Sequence, residues 1–468
     1  MNVRTNRRDF LKFAGAAAFW AMGGGGSAGG AVGRRPNFVI MIADDMAWDD
    51  AGAYGHPHIR TPNIDRLAKE GVRFTNAFLT CASCSPSRCS IMTGRYPHST
   101  GAKELHQPLP ADQVVFAGLL KEAGYYTAAA GKWHLGSHAR VHFDNILDGG
   151  GPSGCENWVK ALRQRPKDRP FFMWLAAVDP HRDYSPNTIP EPHRPEDAVV
   201  PPFLPDNAAT RKDLAMYYDE ITRMDGFIGE VLDELDAQDA AEDTLVMFLS
   251  DNGRPFPRCK TTVYDSGVKT PFIVRLPGRV QAGSTCEGLV SSVDIAPTLI
   301  ELGGGEISKT FQGRSFARML KDTSTRTRQY VFAEHNWHDY QAHSRGVRSN
   351  EWLYIRNAYP HLNASPPADA VRSITYQEMI RLEREGKLAE HQRQCFVTPR
   401  PKEELYDIKA DPYSLRNLAQ DARHAGVLRK MRAALEEWIE ETDDRVPEPP
   451  TRDRFDRWTG RALPRTGG

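Results

Sequence analysis

The run Asn37-Phe38-Val39-Ile40-Met41-Ile42-Ala43, apolar at the six positions after Asn37, carries no alternation of polar residues and predicts a strand covered on both faces. Tyr125–Ala130, Phe171–Val178, Leu245–Ser250 and Phe272–Leu276 repeat that pattern. Helical periodicity falls between them, over Lys212–Leu235 and Val293–Leu302. A further helix is predicted to open at Thr61-Pro62, with Thr61 as N-cap, Ile64, Leu67 and Ala68 on one face, and Gly71 as the stop. Strands alternating with helices predict an α/β fold, a mostly parallel sheet between helical layers. Beyond Arg345 the segments become shorter and more polar, as at Glu351–Asn357 and Glu404–Ile408, and a last helix is expected at Ala425–Thr442. The expected organisation is a large domain over 34–345, a small α+β domain over 346–442, and a charged, proline-containing tail over 443–468 that is mobile or straps the surface. No internal repeat is present.

The first 33 residues have a different anatomy. Asn6-Arg7-Arg8-Asp9-Phe10 precedes the apolar stretch Phe13–Met22 and a Gly/Ala-rich segment, the layout of a twin-arginine export signal. Ten apolar residues are too few to cross a bilayer, so no permanent membrane span is expected. The address implied is periplasmic or secreted, with the twin-arginine machinery as a partner and any cofactor or modification installed before export. Across 468 residues, 40% hydrophobic and 9% aromatic content supply a core and exclude wholesale disorder. Sixty basic residues balance sixty acidic ones, which argues against a nucleic-acid-binding role. Seven scattered cysteines make neither a disulfide scaffold nor a paired C-x2-C zinc pattern.

Polar clusters follow the strands. In an open parallel sheet, ligands bind beyond the carboxyl ends of the strands. Here those ends lead into Asp44-Asp45, into Lys132 and His134, into Asp179 and His181, and into Asp251-Asn252. Asp44, Asp45, Asp251 and Asn252 offer only hard oxygen donors; three carboxylates so close repel one another unless a cation joins them. An Asp-Asp pair alone is more often a solvated turn. Two such sets after buried strands favour a metal, with Ca²⁺ ahead of Mg²⁺.

Cys84-Ser85-Pro86-Ser87-Arg88 continues into Cys89-Ser90-Ile91-Met92-Thr93-Gly94-Arg95. A lone cysteine is usually a small buried residue. Here Pro86 predicts the first turn of a helix, whose N-terminus favours anions, and Arg88 adds a charged fork suited to a tetrahedral oxyanion.

This Cys-x-Pro-x-Arg stretch with its Ser-Ile-Met-Thr-Gly-Arg extension resembles the signature of the type I sulfatases. The resemblance continues through Gly131-Lys132-Trp133-His134-Leu135-Gly136, Ser250-Asp251-Asn252-Gly253 and Glu404-Leu405-Tyr406-Asp407. It implies the alkaline-phosphatase-like α/β sandwich, oxidation of Cys84 to formylglycine by a dedicated maturase, and a sulfated saccharide as substrate. The family roles carried onto this chain make the formylglycine hydrate at Cys84 the nucleophile, passing through a covalent enzyme–sulfate intermediate. Cys84 then joins Asp44, Asp45, Asp251 and Asn252 at the metal. Arg88, Lys132 and Lys260 hold the sulfate, His181 with Lys260 protonates the leaving group, and His134 assists sulfate release. His106, Arg182 and His335 are weaker candidates for a sugar pocket. Asp168-Arg169-Pro170-Phe171-Phe172, Asp179-Pro180-His181-Arg182 and Ser250–Pro257 resemble the N-sulfoglucosamine sulfohydrolase (sulfamidase) branch. That branch carries Arg where this chain has Lys260, the residue common in O-sulfatases. N-sulfate is therefore the leading substrate and O-sulfate the alternative, with a phosphoester or phosphonate hydrolase and an unmodified sugar-binding protein as further readings.

Overall fold

Strand β1 (Asn37–Ala43) is buried along nearly its whole length, because it lies inside the sheet and both of its faces are covered. The computed structural model describes residues 35–464, so the segment read as an export signal lies outside it. The other strands, in chain order, are β2 (Val72–Phe74), β3 (Ala77–Phe78), β4 (Tyr126–Gly131), β5 (Asn145–Asp148), β6 (Phe171–Ala176) and β7 (Thr244–Ser250). They continue with β8 (Phe272–Arg275), β9 (Ser284–Cys286), β10 (Val290–Ser291), β11 (Val331–His335), β12 (Ser344–Arg348), β13 (Trp352–Asn357) and β14 (Glu403–Asp407).

Eight strands form the central sheet in the order β5-β4-β6-β1-β7-β8-β2-β9. It is mostly parallel; β8 runs antiparallel to both β7 and β2. Alternate residues of β1 enter two different cores. Phe38, Ile40 and Ile42 pack with Phe116, Leu120, Ile295 and Leu299 on one side. Val39, Met41 and Ala43 pack with Ile64, Leu67, Trp158 and the long helix Ala208–Ala237 on the other. The result is a sheet sandwiched by helices.

The helix Pro62–Glu70 starts where the sequence predicts, but Thr61 makes no side-chain cap. Its hydroxyl instead bonds Asp65 Oδ1 at 3.1 Å and accepts the Gly52 N–H at 2.9 Å. The free N–H groups of Asn63 and Ile64 donate to the Asp225 carboxylate on the long helix, at 3.1 and 2.8 Å. A residue distant in sequence therefore does the capping.

The second sheet is antiparallel, β11-β12-β13-β14, and packs Val347, Tyr354 and Leu405 against Met431, Leu435 and Trp438 of the helix Ala425–Thr442. It begins at Val331, and β12 spans the division expected after Arg345. Its ladder thus joins residues on both sides of that division. The segment from Asp443 to Pro464 is bound back as a strap: Asp444 pairs with Arg345, the Arg452 carbonyl accepts from Trp337 Nε1, and the Arg454 N–H donates to the Asp339 carbonyl. All seven cysteines are buried and free. Among the described residues no helix is long and apolar enough to cross a membrane.

Candidate active site

The register of the central sheet fixes where its polar ends meet. Ala43 pairs with Ser250, Ile42 with Ala176, and Gly131 with Ala176, so four strands end at nearly one level. The residues that follow must then gather at one edge. Asp44 and Asp45 follow β1, Lys132 and His134 follow β4, His181 follows β6, and Asp251 and Asn252 follow β7. Asp45 (φ 76°) and His134 (φ 52°) adopt the left-handed backbone that side chains rarely take. Around Asp45 the turn is braced: Tyr217 Oη donates to its carbonyl at 3.1 Å, and its N–H donates to Asp251 Oδ1 at 3.3 Å.

The helix Cys84–Thr93 is buried on every side, so its role is not to offer an apolar face to a core. Cys84 is its first residue. Its Sγ lies 3.5 Å from Asp44 Oδ1 and 3.9 Å from Asp45 Oδ1. Ser83, at the N-cap, makes no cap with its side chain; its hydroxyl meets His338 Nδ1 at 2.8 Å. Burial pushes the Cys84 thiol well above its ordinary pKa, so the unmodified side chain is a poor nucleophile at neutral pH.

Arg88 comes one turn later and is fully buried. Its Nε donates to Asp251 Oδ2 at 2.7 Å and its Nη1 to the Lys132 carbonyl at 3.0 Å, while Nη2 has no hydrogen-bond partner. Lys132 bonds Asp44, and Lys260 bonds Asp45 at 2.7 Å. Three carboxylates and three permanent cations therefore share one buried pocket. Burial pushes the Asp44 carboxyl upward, but Lys132, His181, Arg88 and Lys260 outweigh it and hold Asp44 well below the usual range. Asp251, where burial and Asp44 prevail over Arg88, is raised to about 6.

The oxygen donors suit a hard cation. Asp44, Asp45, Cys84 and His181 bring ligand atoms within 4.8 Å of one another, and Asp251 and Asn252 both touch Asp45. Asn252 Oδ1 is buried without a partner, an acceptor that a cation would satisfy. The residue set fits the metal inferred from the sequence.

Two histidines flank the pocket. His181 Nδ1 bonds the Arg182 carbonyl, leaving Nε2 3.8 Å from Asp45 Oδ2 and 3.6 Å from Asp369 Oδ2. His134 Nε2 meets His106 Nδ1 at 2.8 Å, and its Nδ1 is buried and unpartnered. Burial, helped by Lys132 and Arg88, drives the His134 imidazolium pKa down to about 2 and keeps the ring neutral.

All ten residues singled out from the sequence gather here. Of the weaker candidates, His106 joins through His134. Arg182 is spent on Asp213, with two 2.8 Å bonds to the long helix, and His335 lines a separate cavity. Asp179 is tied to Arg223. Sequence reasoning missed Asp369 and His338. His338 comes three residues after β11, outside the central sheet, and Asp369 sits in a four-residue helix after Pro366-Pro367; no motif marks either, and only the chain's path brings them to the site.

The sulfatase family matches residues 36–153 and 155–305, which include every residue of this pocket except Asp369 and His338. The chain belongs to the sulfatase family. This sulfatase also matches, over residues 258–363, the family described as N-sulphoglucosamine sulphohydrolase, C-terminal. It is 32% identical to an ulvan-active sulfatase of Formosa agariphila, over 87% of this chain and 75% of that one. It is 31% identical to human N-sulphoglucosamine sulphohydrolase, over 88% and 91% of the two chains. Among solved structures, a protein in complex with its substrate D-glucosamine-2-N,6-O-disulfate superposes with a TM-score of 0.69 at 22% identity, covering 89% of this chain and all of that one. The fold is accordingly the alkaline-phosphatase-like sandwich of the sulfatases.

Proposed function

We propose that this sulfatase removes sulfate from a sulfated glycan, with N-sulfated glucosamine as the leading substrate and an O-sulfated sugar as the alternative. The observation that carries the reading is the single buried pocket holding Cys84, three carboxylates and three cations, one of which, Arg88, has an Nη2 that makes no hydrogen bond and lies 3.7 Å from Asp44 Oδ2. The N-sulfate preference is supported by the match over 258–363 and by the similarity to human N-sulphoglucosamine sulphohydrolase. Lys260 favours the O-sulfate alternative.

Asp44, Asp45, Asp251, Asn252 and the side chain at position 84 would hold a calcium ion, which when bound would supply Lewis-acid polarisation and lower the pKa of a neighbouring hydroxyl. Formylglycine made from Cys84 supplies, as its hydrate, one hydroxyl to attack sulfur and a second that permits sulfate to leave. The remaining work falls to the chain's own side chains. Arg88 Nη2, Lys132 and Lys260 surround the sulfate oxygens and offset charge as the bond to the sugar breaks. His181 keeps its Nδ1 proton on the Arg182 carbonyl and delivers a proton from Nε2 to the departing amine or alcohol. His134 donates from Nε2 to His106, which leaves its bare Nδ1 to accept the proton when sulfate is released. The maturase, the export machinery and the periplasmic or secreted address complete the reading.

The test is a substrate panel: N-sulfoglucosamine, glucosamine 6-O-sulfate, an aryl sulfate and a phosphate monoester. Fastest turnover of N-sulfoglucosamine is expected. Fastest turnover of the 6-O-sulfate moves the assignment to the alternative, and no sulfate release from any of them contradicts both.

A further inference from the structure

Apart from the acidic pocket, a cavity of about 640 Å³ opens where the antiparallel sheet meets the segment after Lys260. That volume lies in the range of small-molecule and sugar sites. None of the pocket residues from Asp44 to Lys260 described above lines it, but two of its lining residues are close chain neighbours of residues at that pocket. Thr261 on the cavity follows Lys260, and His335 precedes by three residues the His338 that bonds Ser83 beside Cys84.

The lining combines tyrosine rings (Tyr264, Tyr340, Tyr359, Tyr406) with an excess of positive charge. Four arginines line the cavity, against two glutamates. Of these, Arg457 is neutralised by Asp453, and Glu404 is held by Tyr264, Tyr406 and Asn357. Arg258, Arg400 and Arg416 have no carboxylate partner among the described residues. Arg258 is fixed by the carbonyls of Tyr413 and Ser414, at 2.9 and 2.6 Å. Arg400 is anchored through Nη2 alone, to Ser344 Oγ at 2.9 Å and to Asn357, which leaves Nε and Nη1 uncommitted. His335 and His343 are neutral here. Burial first, then the nearby arginines, lower them to about 3 and about 2. Arg258 and Arg400, held by neutral partners, together with Arg416 outnumber Glu390 and Glu404 on the same wall, and a guanidinium fork is suited to carboxylate or sulfate.

We propose that this cavity is a second saccharide site, taking a carboxylate- or sulfate-bearing sugar of the same polyanionic glycan that the active site desulfates. The proposal rests on the glycan reading above. Tyrosine rings pack against the sugar face, and Arg400 and Arg416 bind its acidic group.

The test compares the full-length, matured enzyme with R400Q, R416A and the double variant. R400Q retains a side chain able to bond Ser344 and Asn357, and Arg416 is exposed, so folding is spared. Two probes are used: N-sulfoglucosamine, and an N-sulfated, uronate-containing tetrasaccharide. For the double variant, KM for the tetrasaccharide should rise about 10-fold or more, from the loss of two charge-assisted contacts. Monosaccharide kinetics should not change. Equal losses on both probes, or no loss on either, overturn the proposal. If the wild-type enzyme cleaves neither probe, the N-sulfate reading fails, and calorimetric titration of the tetrasaccharide still decides the cavity. Tighter binding to wild type than to the double variant supports the site, and equal binding overturns it.

Discussion

Arg88 shows what one residue type at one spacing brings about. Four positions after Cys84, on a helix that begins at the cysteine, its guanidinium is carried back among the carboxylates that end β1 and β7. The Cys-x-Pro-x-Arg spacing therefore made both residues legible in the sequence, as did the Asp-Asp and Asp-Asn pairs after apolar strands. Asp369 was not legible. It approaches His181 from a four-residue helix far along the chain, and no periodicity marks it. His181 gives the prediction at this scale. Its Nε2 is the only one of its ring nitrogens free to pass a proton into the pocket, because Nδ1 is spent on a carbonyl. His181→Gln should lower kcat for a sugar sulfate about 10²- to 10⁴-fold, the usual range for a lost general acid. An aryl sulfate, whose leaving group needs little protonation, should lose much less, and steady-state kinetics on the two substrates checks this.

Among the elements, long strands were readable and short ones were not. β1, β4, β6 and β7 are mostly apolar runs without polar alternation because they are covered on both faces. β2, β3, β9 and β10 have only two or three residues, too few for a period to register. The reversed direction of β8 has no signature in composition, since an apolar run reads alike either way. Thr61 shows a related limit: the N-cap residue type was present, yet Asp225 from another helix took the role. Gly131 ends β4 with φ +96°, and a Cβ there would lie 1.9 Å from the Ala176 carbonyl oxygen on β6. Gly131→Ala should cost at least about 3 kcal/mol, from strained backbone and overpacking together. It should also displace Lys132, the next residue. Thermal unfolding with a kinetic assay should show both losses.

At the scale of the whole molecule, the strap after the last helix has the most to add. From Asp443 the chain reads as charged and proline-containing, which is equally compatible with a mobile end and with a bound one; tertiary ion pairs decide between them. Asp444 lies at the start of the strap and forms two bonds to the buried Arg345, which also approaches Glu334. Burial alone would raise the Asp444 pKa, but the Arg345 fork outweighs it and lowers it to about 2. A carboxylate whose pKa is depressed on folding stabilises the folded state above its unfolded value of about 4. That contribution, about 2 kcal/mol, is lost as pH falls through about 2. Asp444→Asn should therefore lower stability by about that amount at pH 7, with the gap to wild type closing between about pH 4 and 2. Denaturant unfolding across that range checks it.

The strap, the two sheets and the helices all serve to hold position 84 against the acidic pocket. The claim that the rest depends on is that natively produced protein carries an aldehyde there. Mass spectrometry of the peptide containing residue 84, from protein made in its own host and active in sulfate release, tests it directly. The predicted result is loss of the Cys84 thiol and its replacement by a carbonyl that reacts with a hydrazine probe. An intact thiol at position 84 in fully active protein would contradict the account.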